Sequence, residues 1–246
     1  MDRLVYVAMS GAKETLRAQT ANNHNLANAS TTGFKADLSA FQAESVVGAG
    51  LGSRAYAMNS SVGWDSTSGS LEQTGRDLDV AVNGKGWIAV QAPDGSEAYT
   101  RAGDLRVDPS GVLMTGAGHV VLGDSGPVTV PPNSALSIAG DGSVSVVPLG
   151  QTASTMATVG RIKLVNPDDS SLSRGEDGLF RMNDGAAAPS EASVKLVSGA
   201  LETSNVNVAE AMTNMIELAR HYELQIKAIK TAEQDADSAS QLLQTS

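Results

Sequence analysis

The chain has 246 residues, of which 41% are hydrophobic and only 4% aromatic, with 25 glycines, no cysteine and a net charge of −10. That length holds one sizeable domain with long extensions, or two small domains. The composition excludes disulfides and thiolate metal sites. No Lys/Arg cluster is present to neutralise a run of phosphates, so nucleic acid is not an expected partner.

The charge is unevenly spread. Residues 1–35 carry Arg3, Lys13, Arg17 and Lys35 against Asp2 and Glu14, whereas residues 200–246 carry Arg220, Lys227 and Lys230 against seven acids. The two ends are therefore weakly complementary. No apolar run reaches the roughly 20 residues of a bilayer-crossing helix, so no transmembrane segment is expected. Residues 1–12 lack the basic start, unbroken apolar stretch and cleavage site of a secretory leader.

The first predicted element is an N-terminal helical segment, residues 1–35, with about 25 residues in the helix itself. Val5, Met9, Ala12, Leu16, Gln19, Asn23 and Leu26 recur at alternating spacings of four and three, the seam of a coiled coil. The run Asn28-Ala29-Ser30-Thr31-Thr32-Gly33 ends it with cap-forming residues and a glycine. Residues 36–70, rich in glycine and serine, predict an irregular arm.

Residues 71–200 predict a central antiparallel β-domain, a sandwich or barrel. Short apolar runs such as Leu78–Val82, Trp87–Gln91, Leu105–Val107 and Val144–Val147 alternate with turn dipeptides. Five of these, Asn83-Gly84, Asp94-Gly95, Asp141-Gly142, Asp177-Gly178 and Asp184-Gly185, predict hairpins because Asn and Gly tolerate the backbone of tight reversals.

The last segment, 201–246, predicts a second seam. Val208, Ala211, Met215, Leu218, Tyr222, Gln225, Ile229, Ala232 and Leu243 follow the same spacing, widened by Met212, Ile216 and Ile226, with Ser204 or Asn205 as its cap. The fold class is thus α+β, with two long terminal helices and a β-domain between them. A plainer alternative makes both helices ordinary core elements. Against it, the seams sit at the chain ends with the whole β-rich block between them.

Three motifs in order carry a resemblance. They are Asn23-His24-Asn25-Leu26-Ala27-Asn28 with Thr32-Gly33-Phe34-Lys35; Arg76 to Val82 with Tyr99-Thr100-Arg101-Ala102-Gly103; and Leu201-Glu202-Thr203-Ser204-Asn205-Val206. Together they resemble the flagellar basal-body rod and hook proteins over nearly the whole chain, most closely a proximal-rod subunit, with the distal-rod subunit the nearest alternative. His24 departs from the pattern, where the family usually has Asn. The resemblance implies an inner coiled-coil layer made by the terminal helices and a β-domain outside it. It implies a structural subunit of the rod, needed for motility, that transmits torque and walls the export channel. Its partners would be other flagellar rod proteins, copies of itself and the flagellar export apparatus. It would leave the cytoplasm unfolded through that apparatus and assemble in the periplasmic space, without a cofactor.

Catalytic chemistry finds little support. His24, His119 and His221 lie on three elements, and only His24 and His221 sit on helices expected to pair. Asp77 and Asp79 alternate at a strand start and would point one way, as a cation site or carboxylate pair requires, but a surface role at a turn is the better reading. Asn83-Gly84-Lys85-Gly86 lacks the spacing of a phosphate loop. Asp168-Asp169 reads as loop solvation, and Met9, Met212 and Met215 as adaptable packing. A carbohydrate-binding module would want more exposed aromatics than Trp64, Trp87 and four tyrosines. A peptidoglycan hydrolase would need two carboxylates about 5–10 Å apart in a cleft, to be tested by turnover of cell-wall material. No catalytic, metal or cofactor residue is assigned.

The expected interface residues are Val5, Met9, Leu16, Asn23 and Leu26 on the first helix, and Met212, Met215, Leu218, Tyr222, Ile226, Ile229 and Leu243 on the second. Their burial between neighbouring chains would be worth roughly 25 cal/mol per Å², with Gln19, Asn23 and Gln225 setting register. Both ends are expected to order only when neighbours arrive, since an isolated helix is marginal. Leu218→Asp is expected to abolish incorporation and motility.

Overall fold

A computed structural model describes residues 2–45, 55–150 and 156–244, and the chain divides into two compact units. The helical unit holds residues 1–29, 36–65 and 206–246. The β-body holds 30–35 and 66–205.

In the helical unit, α1 spans Asp2–Ala27 and α2 spans Val208–Gln244. α1 ends where the Asn28 side chain turns back to donate to the His24 carbonyl at 2.9 Å. The cap of α2 is Asn207, not Ser204 or Asn205. Its Oδ1 accepts the amides of Ala209 at 3.1 Å and Glu210 at 3.3 Å, and its carbonyl accepts that of Ala211. Asn205 is engaged inside the β-body, where its side-chain amide donates to the Thr67 carbonyl.

The two helices pack antiparallel. Thr15 is level with Gln225 and Asn22 with Ala211. Extending that register at 1.5 Å per residue carries about the last ten residues of α2 past the start of α1.

The Gly/Ser-rich segment read as an irregular arm contains a strand pair instead. β1 (Asp37–Ser45) and β2 (Ala55–Trp64) run antiparallel from Asp37 opposite Trp64 to Ser45 opposite Ala55, with one bulge at Leu38/Ser39. Apolar and polar residues do not alternate regularly along either strand, so the sequence hid the pair. The glycines at 48, 50 and 52 lie outside the described residues.

The β-body opens with β3 (Leu71–Gln73), β4 (Val80–Asn83), β5 (Trp87–Gln91), β6 (Glu97–Thr100), β7 (Leu105–Val107), β8 (Leu113–Thr115), β9 (Val120–Gly123) and β10 (Gly126–Pro127). It continues with β11 (Asn133–Ile138), β12 (Ser143–Pro148), β13 (Ala157–Arg161), β14 (Leu164–Val165), β15 (Leu172–Arg174), β16 (Phe180–Met182), β17 (Lys195–Ser198) and β18 (Ala200–Glu202). The largest sheet runs β15-β16-β6-β5-β9-β8-β7, with β10 on β9 and β14 on β5. That order has two ends, so the body is not a closed barrel. Strands of two to five residues in this sheet are too short for the common tilt and stagger of closure.

A second sheet, β11-β12-β13, and the pairs β17-β4 and β18-β3 complete the body. Every pairing is antiparallel. One apolar cluster is shared by the large sheet, the β11-β12-β13 sheet and the β17-β4 pair, drawing Val80 and Val82 from β4, Ile88 and Val90 from β5, Val144 from β12 and Leu196 from β17.

Three of the five turn dipeptides make hairpins: Asp94-Gly95 joins β5 to β6, Asp141-Gly142 joins β11 to β12, and Asp177-Gly178 joins β15 to β16. Asn83-Gly84 and Asp184-Gly185 turn the chain without pairing their flanks, because β4 pairs with β17 and β16 with β15 and β6. The aspartates have a shared task. In Asp94-Gly95-Ser96, Asp108-Pro109-Ser110 and Asp141-Gly142-Ser143 the carboxylate accepts the amide and hydroxyl of the serine two residues on. These bonds favour the ionised form and hold all three carboxyls below the usual aspartate range.

Candidate functional site: a small-residue helix pair and a buried charge lock

The helices meet through small and polar residues. Ala12, Thr15 and Ala18 on α1, and Ala211 and Ala232 on α2, are buried. Gly11 faces the Gln225 side chain, whose amide nitrogen would stand 2.9 Å from an added Cβ. Thr15 Oγ1 donates to Gln225 Oε1 at 3.1 Å, and Asn22 Nδ2 to the Ala211 carbonyl at 2.8 Å.

The large apolar residues are left outside. Met9 is 54% exposed, Leu16 45%, Met212 52% and Ile216 64%, with Tyr6, Val208 and Leu224 also exposed. Of the remaining expected interface residues, Asn23 is exposed, and Val5, Leu26, Met215, Leu218, Tyr222, Ile226 and Ile229 are half-buried. The Leu243 side chain lies outside the described residues. The α2 seam of Ala211, Leu218, Gln225 and Ala232 turns out to face α1. On α1 the residues that meet α2 are Gly11, Thr15 and Asn22. At 100° per residue these lie about a quarter-turn from the predicted seam.

The motif residues resolve into two ties, one in each unit. In the helical unit, the Asn25 side chain clamps the backbone of Asp37: Nδ2 donates to the Asp37 carbonyl at 2.9 Å, and Oδ1 accepts its amide at 2.7 Å. His24 Nδ1 sits 2.6 Å from Asp37 Oδ2. His24 and His221 stand at different levels of the antiparallel pair and are not brought together. His119, on the β8–β9 turn, is half-buried.

In the β-body, Gly33, Phe34 and Lys35 meet Arg101 and Glu202. Lys35 Nζ lies 2.7 Å from Glu202 Oε1, and Arg101 Nη1 lies 2.9 Å from Glu202 Oε2. All three side chains are almost fully buried. Glu202 Oε1 also accepts the Gly69 amide at 2.9 Å, Lys35 Nζ donates to the Thr67 carbonyl, and Arg101 Nη2 to the Gly84 carbonyl. Removing one member of such a buried set leaves a charge uncompensated, at a cost of about 3–5 kcal/mol.

Backbone joins the same point. The Gly33 amide donates to the Glu202 carbonyl at 2.8 Å and the Asn205 amide to the Phe34 carbonyl at 3.3 Å. Gly33 has φ +67°, and a Cβ there would collide with the Arg101 carbonyl group. The guanidinium of Arg174 lies 4.2 Å over the Phe34 ring and donates to the Lys35 carbonyl. The two chain ends therefore leave the β-body side by side. Sequence reasoning marked Lys35 through the family motif, Gly33 and Asn205 through the motif and as helix-end residues, and did not assign Arg101 or Glu202 a role. The available signal was a charge set inside an otherwise apolar or small-residue motif.

Asp77 and Asp79 do not point one way. Asp77 is exposed in a turn, while Asp79 is buried, with Arg76 Nη2 3.6 Å from its carboxylate. Asn83-Gly84-Lys85-Gly86 is a turn whose Gly84 carbonyl serves Arg101. Tyr99, fully buried, donates to Glu97 Oε1 at 3.0 Å and accepts the Ala188 amide at 2.7 Å. Burial pushes its phenol up to about 12. Lys163 pairs with Glu97 beside a cavity of about 350 Å³ lined also by Asp124 and Ser190.

Residues 197–242 match the flagellar basal body rod FlgEFG protein C-terminal family, and residues 81–146 match the flagellar hook protein FlgE/F/G D1 domain. The chain is 44% identical to the flagellar basal-body rod protein FlgF of Escherichia coli strain K12 and to that of Salmonella typhimurium, each over 252 positions covering 100% of both chains. It is 31% identical to the flagellar basal-body rod protein FlgG of Bacillus subtilis, over 95% of this chain and 96% of that one. With likeness of that extent, and with the motifs accounted for by the lock and the clamp, the chain belongs to the family of structural proteins that build the flagellar basal-body rod.

Proposed function

We propose that this subunit joins the rod by laying the outward faces of α1 and α2 against neighbouring axial subunits, forming an inner coiled-coil layer that transmits torque and walls the export channel. One observation carries the reading: the helix pair meets through Gly11, Thr15, Asn22 and Gln225 and exposes Met9, Leu16, Met212 and Ile216. An apolar stripe of this kind on a surface of an otherwise acidic chain marks a surface meant to be covered. The half-buried Met215, Leu218, Tyr222, Ile226 and Ile229 flank it, and Asn23 supplies a polar position that would fix register.

The neighbours are other flagellar rod proteins and copies of this chain. Passage through the flagellar export apparatus and assembly in the periplasmic space follow from family membership, and the role is structural and not catalytic. The 44% identity over the full length to the FlgF proteins of Escherichia coli and Salmonella typhimurium supports a proximal position in the rod.

Ile216→Asp tests the reading better than Leu218→Asp, because Leu218 lies on the stripe that faces α1 and its loss would disturb the monomer too. The Ile216→Asp chain is expected to be produced and folded, absent from isolated basal bodies, and unable to restore motility. Normal incorporation would rule out the helix face as the assembly surface.

A further inference from the structure

The lock has a kinetic consequence that its static description does not contain. Its parts come from opposite ends of the β-body: Lys35 and Glu202 are 167 residues apart, and Arg101 and Glu202 are 101 apart. The last strands also complete the first ones. β17 pairs with β4 and β18 with β3, and the amides of Thr74 and Gly75 donate to the carbonyl of Gly199. β4 is the most deeply covered strand of this set, with Val80, Ala81 and Val82 all buried.

A chain delivered from its N-terminus, as on the ribosome, therefore presents Lys35 and Arg101 long before the carboxylate they share. Until residue 202 arrives, burying those two cations is opposed by desolvation, and β3 and β4 lack their strand partners.

We propose that Glu202 is a completion latch: the β-body stays open around residues 30–35 and 66–70 until the chain has been delivered through residue 202, when one carboxylate draws both segments in. The latch acts through three groups at once. Its Oε1 takes the Lys35 ammonium and the Gly69 amide, its Oε2 takes Arg101, and its own carbonyl takes the Gly33 amide. Ordering at one segment is thereby coupled to ordering at the other, and such coupling is reciprocal. The inference rests on the β-body alone and is independent of the assembly reading.

Hydrogen exchange on the full-length chain tests it. In pulse labelling during refolding, the amides of Gly33, Gly69 and Leu201 should gain protection together, after Ala89 and Val90 of the central sheet. In native Glu202→Gln, exchange at Gly33 and Gly69 should rise about tenfold or more, with Ala89 and Val90 unchanged. Protection of Gly33 or Gly69 ahead of Leu201, or unchanged exchange in Glu202→Gln, overturns the latch. If Glu202→Gln does not fold, Lys35→Met decides. Faster exchange at residues 199–203, distant in sequence from the substitution, upholds the latch, and an effect confined to residues 33–36 overturns it.

Discussion

The helical unit and the β-body are built from opposite choices of residue. The body closes over fully buried Val80, Ile88, Val90, Leu105 and Leu113, in sheets that lean on one shared cluster. The helices turn glycine, alanine and threonine toward each other and leave Met, Leu, Ile and Tyr outside. Close helix approach through small residues removes little apolar surface from water, whereas each fully buried Val or Leu contributes about 1.5–3 kcal/mol. The body is chemically finished as a single chain, and the helix pair is not. Stability and assembly are thus assigned to different surfaces, and each should be breakable without the other.

The largest effect should come from cutting the body at the wrong place. A fragment of residues 30–205 is expected to melt cooperatively with β-type circular dichroism. Residues 71–200 alone lack Lys35 and Glu202, strand Arg101 without its carboxylate, and should be about 3–5 kcal/mol less stable. Equal melting of the two fragments would mean that the lock contributes nothing. Next in size, Ile88→Ala should cost about 2–5 kcal/mol in denaturant unfolding while leaving assembly intact in the surviving folded protein.

A smaller effect depends on pH. The Tyr99 phenol is raised to about 12 in the folded state, so the native chain holds its proton more tightly than the unfolded one. Stability from this group is fully present below pH 10 and declines between about pH 10 and 12, by roughly 2–3 kcal/mol in all. Tyr99→Phe should flatten that slope, and an unchanged slope would assign it elsewhere. Ile216→Asp completes the series, with an expected change within about 0.5 kcal/mol for the monomer and complete loss of incorporation. A large loss of monomer stability in that variant would show that the outer helix face is an internal packing surface after all.

The sequence made the periodic parts legible. α1 stops at the Asn28–Gly33 run that was read as its end, and β5 and β7 fall on Trp87–Gln91 and Leu105–Val107 as read, because apolar runs bounded by turns need no tertiary information. β6 was missed, since Glu97-Ala98-Tyr99-Thr100 alternates little in hydropathy although its middle is buried. β1 and β2 were missed because their apolar and polar residues do not alternate regularly and the segment around them is rich in glycine and serine. The internal face of α1 was not legible: Met9 and Leu16 are the strongest apolar signal, and periodicity cannot tell a stripe that packs within the chain from one left bare, as these two are. The lock was beyond local reading, since nothing near Lys35 points to a carboxylate 167 residues away.

The two crowded glycines predict different genetics. At Gly11 an added Cβ meets the far end of the Gln225 side chain, a group that can be shortened or swung aside. A motility defect from Gly11→Ala should therefore yield suppressors at codon 225. At Gly33 the obstacle is the main chain of Arg101, which every residue at position 101 possesses. Selection for recovered swimming from Gly33→Ala should return true revertants at codon 33 and no compensating change at codon 101.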